Sequence, residues 1–415
     1  MKRFLPPALL FLGVFLVTLL AQKYTFVDQE QNGLFLLSRD YFAGRFAGPL
    51  PVSGILGDFL AQFFRFSFYA PAIVAAGVTV AFLLLRGTFR RLRVRWNWVP
   101  MVPAVALWIA VAFAHTPQRG VFLVLVCAGL WLLSRLLPAP KKGKGGWIDA
   151  ALCALLVAAG AGVIVLQPSL RRREILAETQ YAVTLGNWDR VLAVATPERC
   201  AADETLTPLA LLALGEKGML GDRLFDYPVR GEDDFDCCDR SEEESAFFRV
   251  FLNERLGSNN EAVHALYQLA ATREQGMSFL VLRQLLVDYY RLGDYALAEK
   301  YCAVLSRSLC HGPFVRRFRR EMAAGKARTP DTPAARGVAP LASRDPLHHL
   351  YLLEAAGIHS PAAVDRILCT LLLRGETEAF RTLFDSVHKA GDPVPRYYQN
   401  PRSNLAATSR EPIQN

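Results

Sequence analysis

Leu285-Leu286-Val287-Asp288-Tyr289-Tyr290-Arg291-Leu292-Gly293-Asp294-Tyr295-Ala296-Leu297-Ala298-Glu299-Lys300-Tyr301 decides the fold of the second half of the chain. An apolar helical stretch ends at Leu292-Gly293, where glycine can take the positive φ that stops a helix. Asp294 can then accept from free backbone amides and start the next helix. Ala298 falls where two helix backbones must approach closely. The same Leu-Gly-polar turn occurs at Leu185-Gly186-Asn187, Leu220-Gly221-Asp222 and Leu256-Gly257-Ser258. Gly186, Gly221, Gly257 and Gly293 are spaced by 35, 36 and 36 residues. That period, close to the roughly 34 residues of a tetratricopeptide repeat (TPR), predicts a TPR-like array of helix–turn–helix units. Gly375, in Leu373-Arg374-Gly375-Glu376, reads as the turn of a displaced further repeat. The second repeat is degenerate: Tyr227-Pro228 and an acidic run, Glu232 to Asp239, stand where its second helix should be. Ser241-Glu242-Glu243-Glu244 then reads as a capping box opening the next helix.

The first half reads differently. The chain has 415 residues, of which 52% are hydrophobic and 20% charged, against about 25% charged in soluble domains. Five apolar segments precede residue 168: Phe4–Ala21, Phe68–Leu85, Val99–Ala114, Val121–Leu137 and Trp147–Gln167. Each approaches the roughly 20 residues that carry a helix across a bilayer. The first could be a cleaved signal peptide, but Leu19 stands where a small residue is wanted, which favours an uncleaved anchor.

The net charge of +9 is not a nucleic-acid signature. Residues 1–170 hold 16 Lys/Arg and 5 Asp/Glu, whereas residues 171–415 hold 31 and 33. The excess lies in the apolar half, where it sets topology. Lys2, Arg3, then Arg86, Arg90, Arg91, Arg93 and Arg95, then Lys141, Lys142 and Lys144 fall in alternate loops. This places the N-terminus in the cytoplasm and the C-terminal repeats outside. Arg171, Arg172 and Arg173 point the other way.

Candidate chemistry is sparse. Asp28 and Glu30 open the first outer loop, residues 23–67, where membrane glycosyltransferases acting on lipid-linked sugars carry acidic residues. An ordinary polar boundary explains the pair as well. The loop ends in Ile55 to Phe66, which reads as an interfacial or re-entrant helix. Cys237-Cys238 lacks the second pair that a zinc site needs. Cys302, Cys310 and Cys369 read as structural thiols. His348-His349 has no partner at metal-ligand spacing, and His311 beside Cys310 has no nameable orienting residue. No phosphate-binding, dinucleotide or metalloprotease motif is present. No metal or cofactor site is expected.

Asp28-Gln29-Glu30-Gln31, Gly54 to Tyr69, Leu220 to Pro228, Gly293 to Leu305 and Pro395-Arg396-Tyr397-Tyr398-Gln399 carry a resemblance, in that order, over most of the chain. With them the sequence resembles an uncharacterised family of Bacteroidales inner-membrane proteins known as a domain of unknown function. The resemblance implies a Gram-negative inner membrane and supports the repeat reading. It implies no catalytic residues.

The expectation is therefore an all-α protein. Residues 1–167 form a bundle of about five transmembrane helices. Residues 168–326 form a TPR-like α-solenoid, 327–346 a proline-rich linker, 347–398 a further repeat and 399–415 a disordered tail. The bilayer and a protein bound to the repeats are the expected partners. The alternative is an envelope enzyme or accessory subunit acting on a lipid-linked glycan through Asp28 and Glu30.

Overall fold

The computed structural model of the chain describes residues 4–114, 116–138, 146–236, 241–273, 276–325, 346–355, 357, 361–388 and 393–399. Every regular element among them is helical. The chain divides into two compact units. Unit 1 comprises residues 1–177 and 304–313; unit 2 comprises 178–303 and 314–415. The turn at 304–313 belongs to unit 1. Residues 347–398 are part of unit 2.

Unit 1 contains α1 (Leu5–Ala21), α2 (Lys23–Asn32), α3 (Arg39–Ala47), α4 (Pro51–Ala61), α5 (Tyr69–Arg91), α6 (Trp98–Phe113), α7 (Pro117–Ser134), α8 (Trp147–Leu166) and the start of α9 (Pro168–Thr184). Three of these, α5, α7 and α8, are long and apolar enough to cross a membrane. A fourth crossing is possible if α1 and α2, bent by 77° at their junction, count as one broken span. The count therefore differs from the five expected. The difference lies in α1 and α6, whose 17 and 16 helical residues are short for a span. The outer loop is not irregular: it folds into α2, α3 and α4.

Side chains from other helices satisfy the ends of α6, which fixes its direction. Asp149, at the start of α8, accepts from Asn97 N (2.7 Å) and Trp98 N (3.1 Å). These are amides that the first turn of a helix leaves unpaired. At the other end the Ala114 carbonyl accepts from Gln29 Nε2 (3.1 Å) and from Arg173 Nη1 (3.2 Å), just beyond α8. So α6 packs on α8 and starts where α8 starts, and its far end meets α2 and α9. Gly160 on α8 permits that approach, since a Cβ there would lie 2.6 Å from Val105 Cγ1. Trp108, Phe82, Met101 and Leu10 fill the core. The outer side of α7 exposes Leu125, Val126, Leu130 and Leu133, a face suited to lipid.

Unit 2 runs from the end of α9 through α10 (Trp188–Val194), α11 (Pro197–Ala202), α12 (Thr207–Glu216), α13 (Leu220–Arg223), α14 (Asp233–Asp236), α15 (Glu242–Leu256), α16 (Asn259–Thr272), α17 (Phe279–Arg291) and α18 (Tyr295–Leu305). It continues with α19 (Gly312–Gly325), α20 (Pro346–Ala355), α21 (Pro361–Arg374) and α22 (Thr377–Val387). Neighbouring helices pack in chain order, α15 on α16, α16 on α17 and α21 on α22. Gly186, Gly257, Gly293 and Gly375 have φ of 64°, 80°, 78° and 75°. Asn187 and Asp294 accept from the amides of Arg190 (3.1 Å) and Leu297 (3.0 Å), so each caps the helix after its glycine. Ser241 and Glu244 form a reciprocal capping box.

Gly221 requires a correction. It lies inside α13 and is not a left-handed turn; Gly218, with φ of 63°, makes the turn three residues earlier. Gly221 is small for another reason. A Cβ there would lie 2.7 Å from Tyr398 Cζ and 2.8 Å from Pro395 Cβ. The segment Pro395 to Gln399 packs against this glycine, and Arg396 N donates to Asp222 Oδ1 (2.7 Å). The acidic run also differs from a solvated loop where it is described. Asp234 and Phe235 are buried, Asp234 accepts from Arg230 N (2.8 Å), and Glu232 pairs with Arg374 at 2.6 Å. Cys237, Cys238, Asp239, Lys141, Lys142, Lys144, most of the 327–346 linker and all but the first residue of the tail lie outside the described residues.

Candidate functional site

The residues that form α2, Lys23-Tyr24-Thr25-Phe26-Val27-Asp28-Gln29-Glu30-Gln31-Asn32, are mostly polar, yet Thr25, Gln29, Glu30 and Gln31 are all at least 95% buried. Burying polar groups is costly unless each finds a partner. At the N-terminus of α2 the Glu174 carboxylate accepts from Tyr24 N, Thr25 N and Thr25 Oγ1, each at 2.8 Å. This is an N-terminal cap delivered from a distant helix, with its negative charge at the positive end of the dipole. Asn32 donates to Asp28 (3.0 Å). Arg173 is held between α6 and α2: burial lowers its pKa, and the carboxylates of Asp28 and Glu174 oppose that shift.

Glu30 meets the turn at 304–313. Its Oε1 lies 3.2 Å from His311 Nε2. His311 Nδ1 lies 3.1 Å from Ser308 Oγ, and Ser308 Oγ donates to Gln62 Oε1 at 3.1 Å. Gln62 also accepts from Leu309 N (3.2 Å). Nearby, Arg65 donates to the Cys310 carbonyl (3.3 Å), and Leu37 N to the Arg307 carbonyl (2.8 Å).

Serine, histidine and glutamate in line invite a nucleophile reading, but the proton direction opposes it. An activated serine gives its proton toward the histidine. Here the single hydroxyl proton goes to Gln62, so Ser308 accepts from Nδ1. All four side chains are buried. The arrangement is a fastening between the outer loop and the 304–313 turn. It supplies His311 with the neighbours that sequence could not name, and it engages one of the two candidate acids. The thiol of Cys310 is pushed up by burial.

A second buried carboxylate, Asp58 on α4, was not singled out in the sequence. Tyr41 Oη donates to it (2.6 Å), Gln118 Nε2 donates (2.5 Å) and Arg45 pairs with it (2.5 Å). Burial pushes the Asp58 carboxyl up, while Tyr41, Arg45 and Gln118 pull it down. The signal that could have drawn attention to this region is α2 itself: a mostly polar helix following an apolar span without a linker.

Between α4, α5, α6 and α7 lies a cavity of about 240 Å³. Its walls are apolar except for Gln29 and Thr116. Of the other residues singled out in the sequence, Arg86 is buried in α5, Arg90 and Arg91 are half-buried, and Arg93 and Arg95 are exposed. His348 is exposed. Among the described residues, no three His, Cys, Asp or Glu side chains gather as metal ligands, and all the cysteines are free.

No curated protein and no solved structure matches the chain. The model of a family of unknown function, DUF6057, matches residues 1–177 and 169–401. Those stretches cover almost the whole sequence, and the chain belongs to the DUF6057 family.

Proposed function

We propose that the protein is a multi-pass inner-membrane scaffold whose TPR-like repeats hold a protein partner on the periplasmic side. The observation that carries this reading is the set of left-handed glycine turns, at Gly186, Gly257, Gly293 and Gly375, between packed helices in a chain that also has membrane-length apolar helices. Stacked helix pairs of this kind present extended surfaces for peptides or helices. Tyr267, Tyr289 and Tyr301 add a cluster joined by hydroxyl contacts of 3.2 and 2.7 Å, with Tyr267 exposed. Tyrosines of this kind are enriched where proteins bind one another.

The topology has support from two places. Because α6 packs along α8 and begins beside its start, counting it with α8 as a crossing is supported. Counted with α1, α5, α7 and α8, it would give five crossings and put the two termini on opposite sides. Arg173, one of the three arginines that argued otherwise, is paired inside unit 1 and is a poor topology signal.

The test is a photo-crosslinking amino acid at position 267 of the full chain in living cells. A discrete adduct, lost when the probe is moved to the exposed membrane position Leu133, supports the scaffold. Failure of Tyr267, Tyr295 and Glu299 positions alike to give an adduct overturns it.

The second reading, an envelope enzyme acting on a lipid-linked glycan, draws on one observation, the apolar cavity beside α2. Catalysis by Asp28 and Glu30 is opposed by the engagement of Glu30 with His311 and of Asp28 with Asn32. The paired variant Asp28→Asn/Glu30→Gln, placed where its expression matches wild type, should leave envelope glycans unchanged.

A further inference from the structure

In unit 2, α21, the end of α22 and the segment 393–398 enclose an open pocket of about 320 Å³, at the small end of the roughly 300–1,000 Å³ usual for ligand sites. It brings together Asp365, Phe384, His388, Pro393, Pro395 and Tyr398. The Phe384 and His388 rings lie nearly parallel, with centroids 4.6 Å apart. Tyr398 meets Phe384 edge-on at 5.8 Å. One wall is therefore aromatic, and the charged group on the lining is a carboxylate.

That carboxylate lacks a counter-charge. Tyr398 Oη donates to Asp365 Oδ1 at 3.3 Å. Among the described residues Oδ2 has no hydrogen-bond partner, and it is not sealed from the surface. The arginines close to Asp365 in the chain are engaged elsewhere. Arg366 donates to the Phe235 carbonyl and lies 4.8 Å over the Phe235 ring. Arg396 lies 3.6 Å from Asp226 and 5.1 Å over the Tyr397 ring. Pro393 and Pro395 have no N–H to offer. Burial raises the Asp365 carboxyl; the Tyr398 hydroxyl opposes that shift, and Asp222 adds to it. A cation brought into the pocket would hold the charged form.

We propose that this pocket receives the guanidinium of an arginine side chain carried by a protein partner, paired with Asp365 and stacked on the Phe384 and His388 rings. The inference rests on the scaffold reading for there being a partner. Arginine fits better than lysine. Its planar fork can use both oxygens of a carboxylate, its flat face stacks on aromatic rings, and it is less strongly hydrated than an ammonium. The aromatic wall adds a cation–π attraction.

The test uses the full chain in nanodiscs of uncharged phosphatidylcholine. The probes are acetyl-Arg-photoleucine amide and its citrulline counterpart, which has nearly the same shape and no charge. Mass spectrometry should place the arginine probe on peptides spanning 361–374 and 377–399, and excess acetyl-arginine amide should compete it away. Labelling should exceed that by the citrulline probe about tenfold, the lower end for a hydrogen bond to a charged group. Asp365→Asn keeps an acceptor for Tyr398 and removes the charge, so it should fold as wild type and bring the arginine probe down to the citrulline level. Equal labelling by the two probes, or arginine labelling unchanged in Asp365→Asn, overturns the proposal. The source of the arginine is read in living cells with a photo-crosslinking residue at Val387, exposed on the pocket's rim. A protein adduct there, lost in Asp365→Asn, supports a protein partner. Selective labelling in nanodiscs without that adduct would mean a free guanidinium compound and overturns the partner. An adduct at position 267 with none at 387 removes this proposal and leaves the scaffold standing.

Discussion

Asp288 and Glu254 show how a single buried pair can govern stability. Arg291 Nη1 lies 3.2 Å from Glu254 and 3.3 Å from Asp288, so one guanidinium serves two carboxyls. Burial first, and then the neighbouring Glu254, push the Asp288 carboxyl well above its usual range. Glu254 is raised too, mainly by burial. The folded state therefore binds a proton that the unfolded chain releases near pH 4. The stabilisation is full below that pH and is lost as pH rises through the folded-state value. Asp288→Asn should melt higher than wild type at pH 8, by about 1–2 kcal/mol, and should flatten the decline above pH 4. A melting series in detergent from pH 4 to 8 checks this. At Glu30 and His311 the opposite holds: removing one partner strands the other. His311→Leu should cost about 3–5 kcal/mol, and pairing it with Glu30→Leu should recover part of the loss. A thermal double-mutant cycle reads it. None of this pairing was legible in the sequence. Glu30 and His311 are far apart in the chain, and only the tertiary fold brings them together.

Among the helices and turns, glycine has two meanings that the sequence pattern conflates. Gly293 has φ of 78° and open space where a Cβ would go, so its constraint is the backbone alone. Gly293→Ala should cost about 1–2 kcal/mol, the penalty for a left-handed L-residue. Gly221 sits in ordinary helical backbone, and its constraint is the ring of Tyr398 together with Pro395 Cβ. Gly221→Ala should cost about 1–3 kcal/mol through overpacking, and Tyr398→Ala in the same chain should recover part of that cost, the Pro395 contact remaining. Urea unfolding of the four proteins separates the cases. The Leu-Gly-Asp triplet at 220–222 matched the period of the array, but the left-handed position had moved to Gly218. Spacing reports where a repeat ought to turn, whereas φ reports where it does. The capping box at Ser241, by contrast, was fully legible, because every atom it needs lies within four residues. α6 has 16 helical residues. Sixteen residues rise about 24 Å, short of a bilayer core of about 30 Å. Its terminal backbone groups are bonded by Asp149, Gln29 and Arg173, which come from elsewhere in the chain.

At the scale of the whole molecule, composition separated an apolar half from a slightly acidic one, and the helices follow that division. The placement of the 304–313 turn in unit 1 was not readable, since the segment looks like any repeat boundary. It depends on Gln62, Glu30 and Leu37, and nothing local ties any of them to residues 304–313. Membrane insertion predicts that the protein stays with the membrane fraction in alkaline carbonate and is released only by detergent.

The central claim is a membrane-anchored scaffold with its repeats outside the cytoplasm, and it turns on the number of crossings. Four crossings would return the C-terminus to the side of the N-terminus; five, with α6 included, put the two on opposite sides. Paired fusions after Asn415, one to alkaline phosphatase and one to a fluorescent protein that matures only in the cytoplasm, read that parity directly. The account predicts phosphatase activity without fluorescence. Fluorescence without phosphatase activity would contradict it, leaving α6 outside the count and the repeats in the cytoplasm.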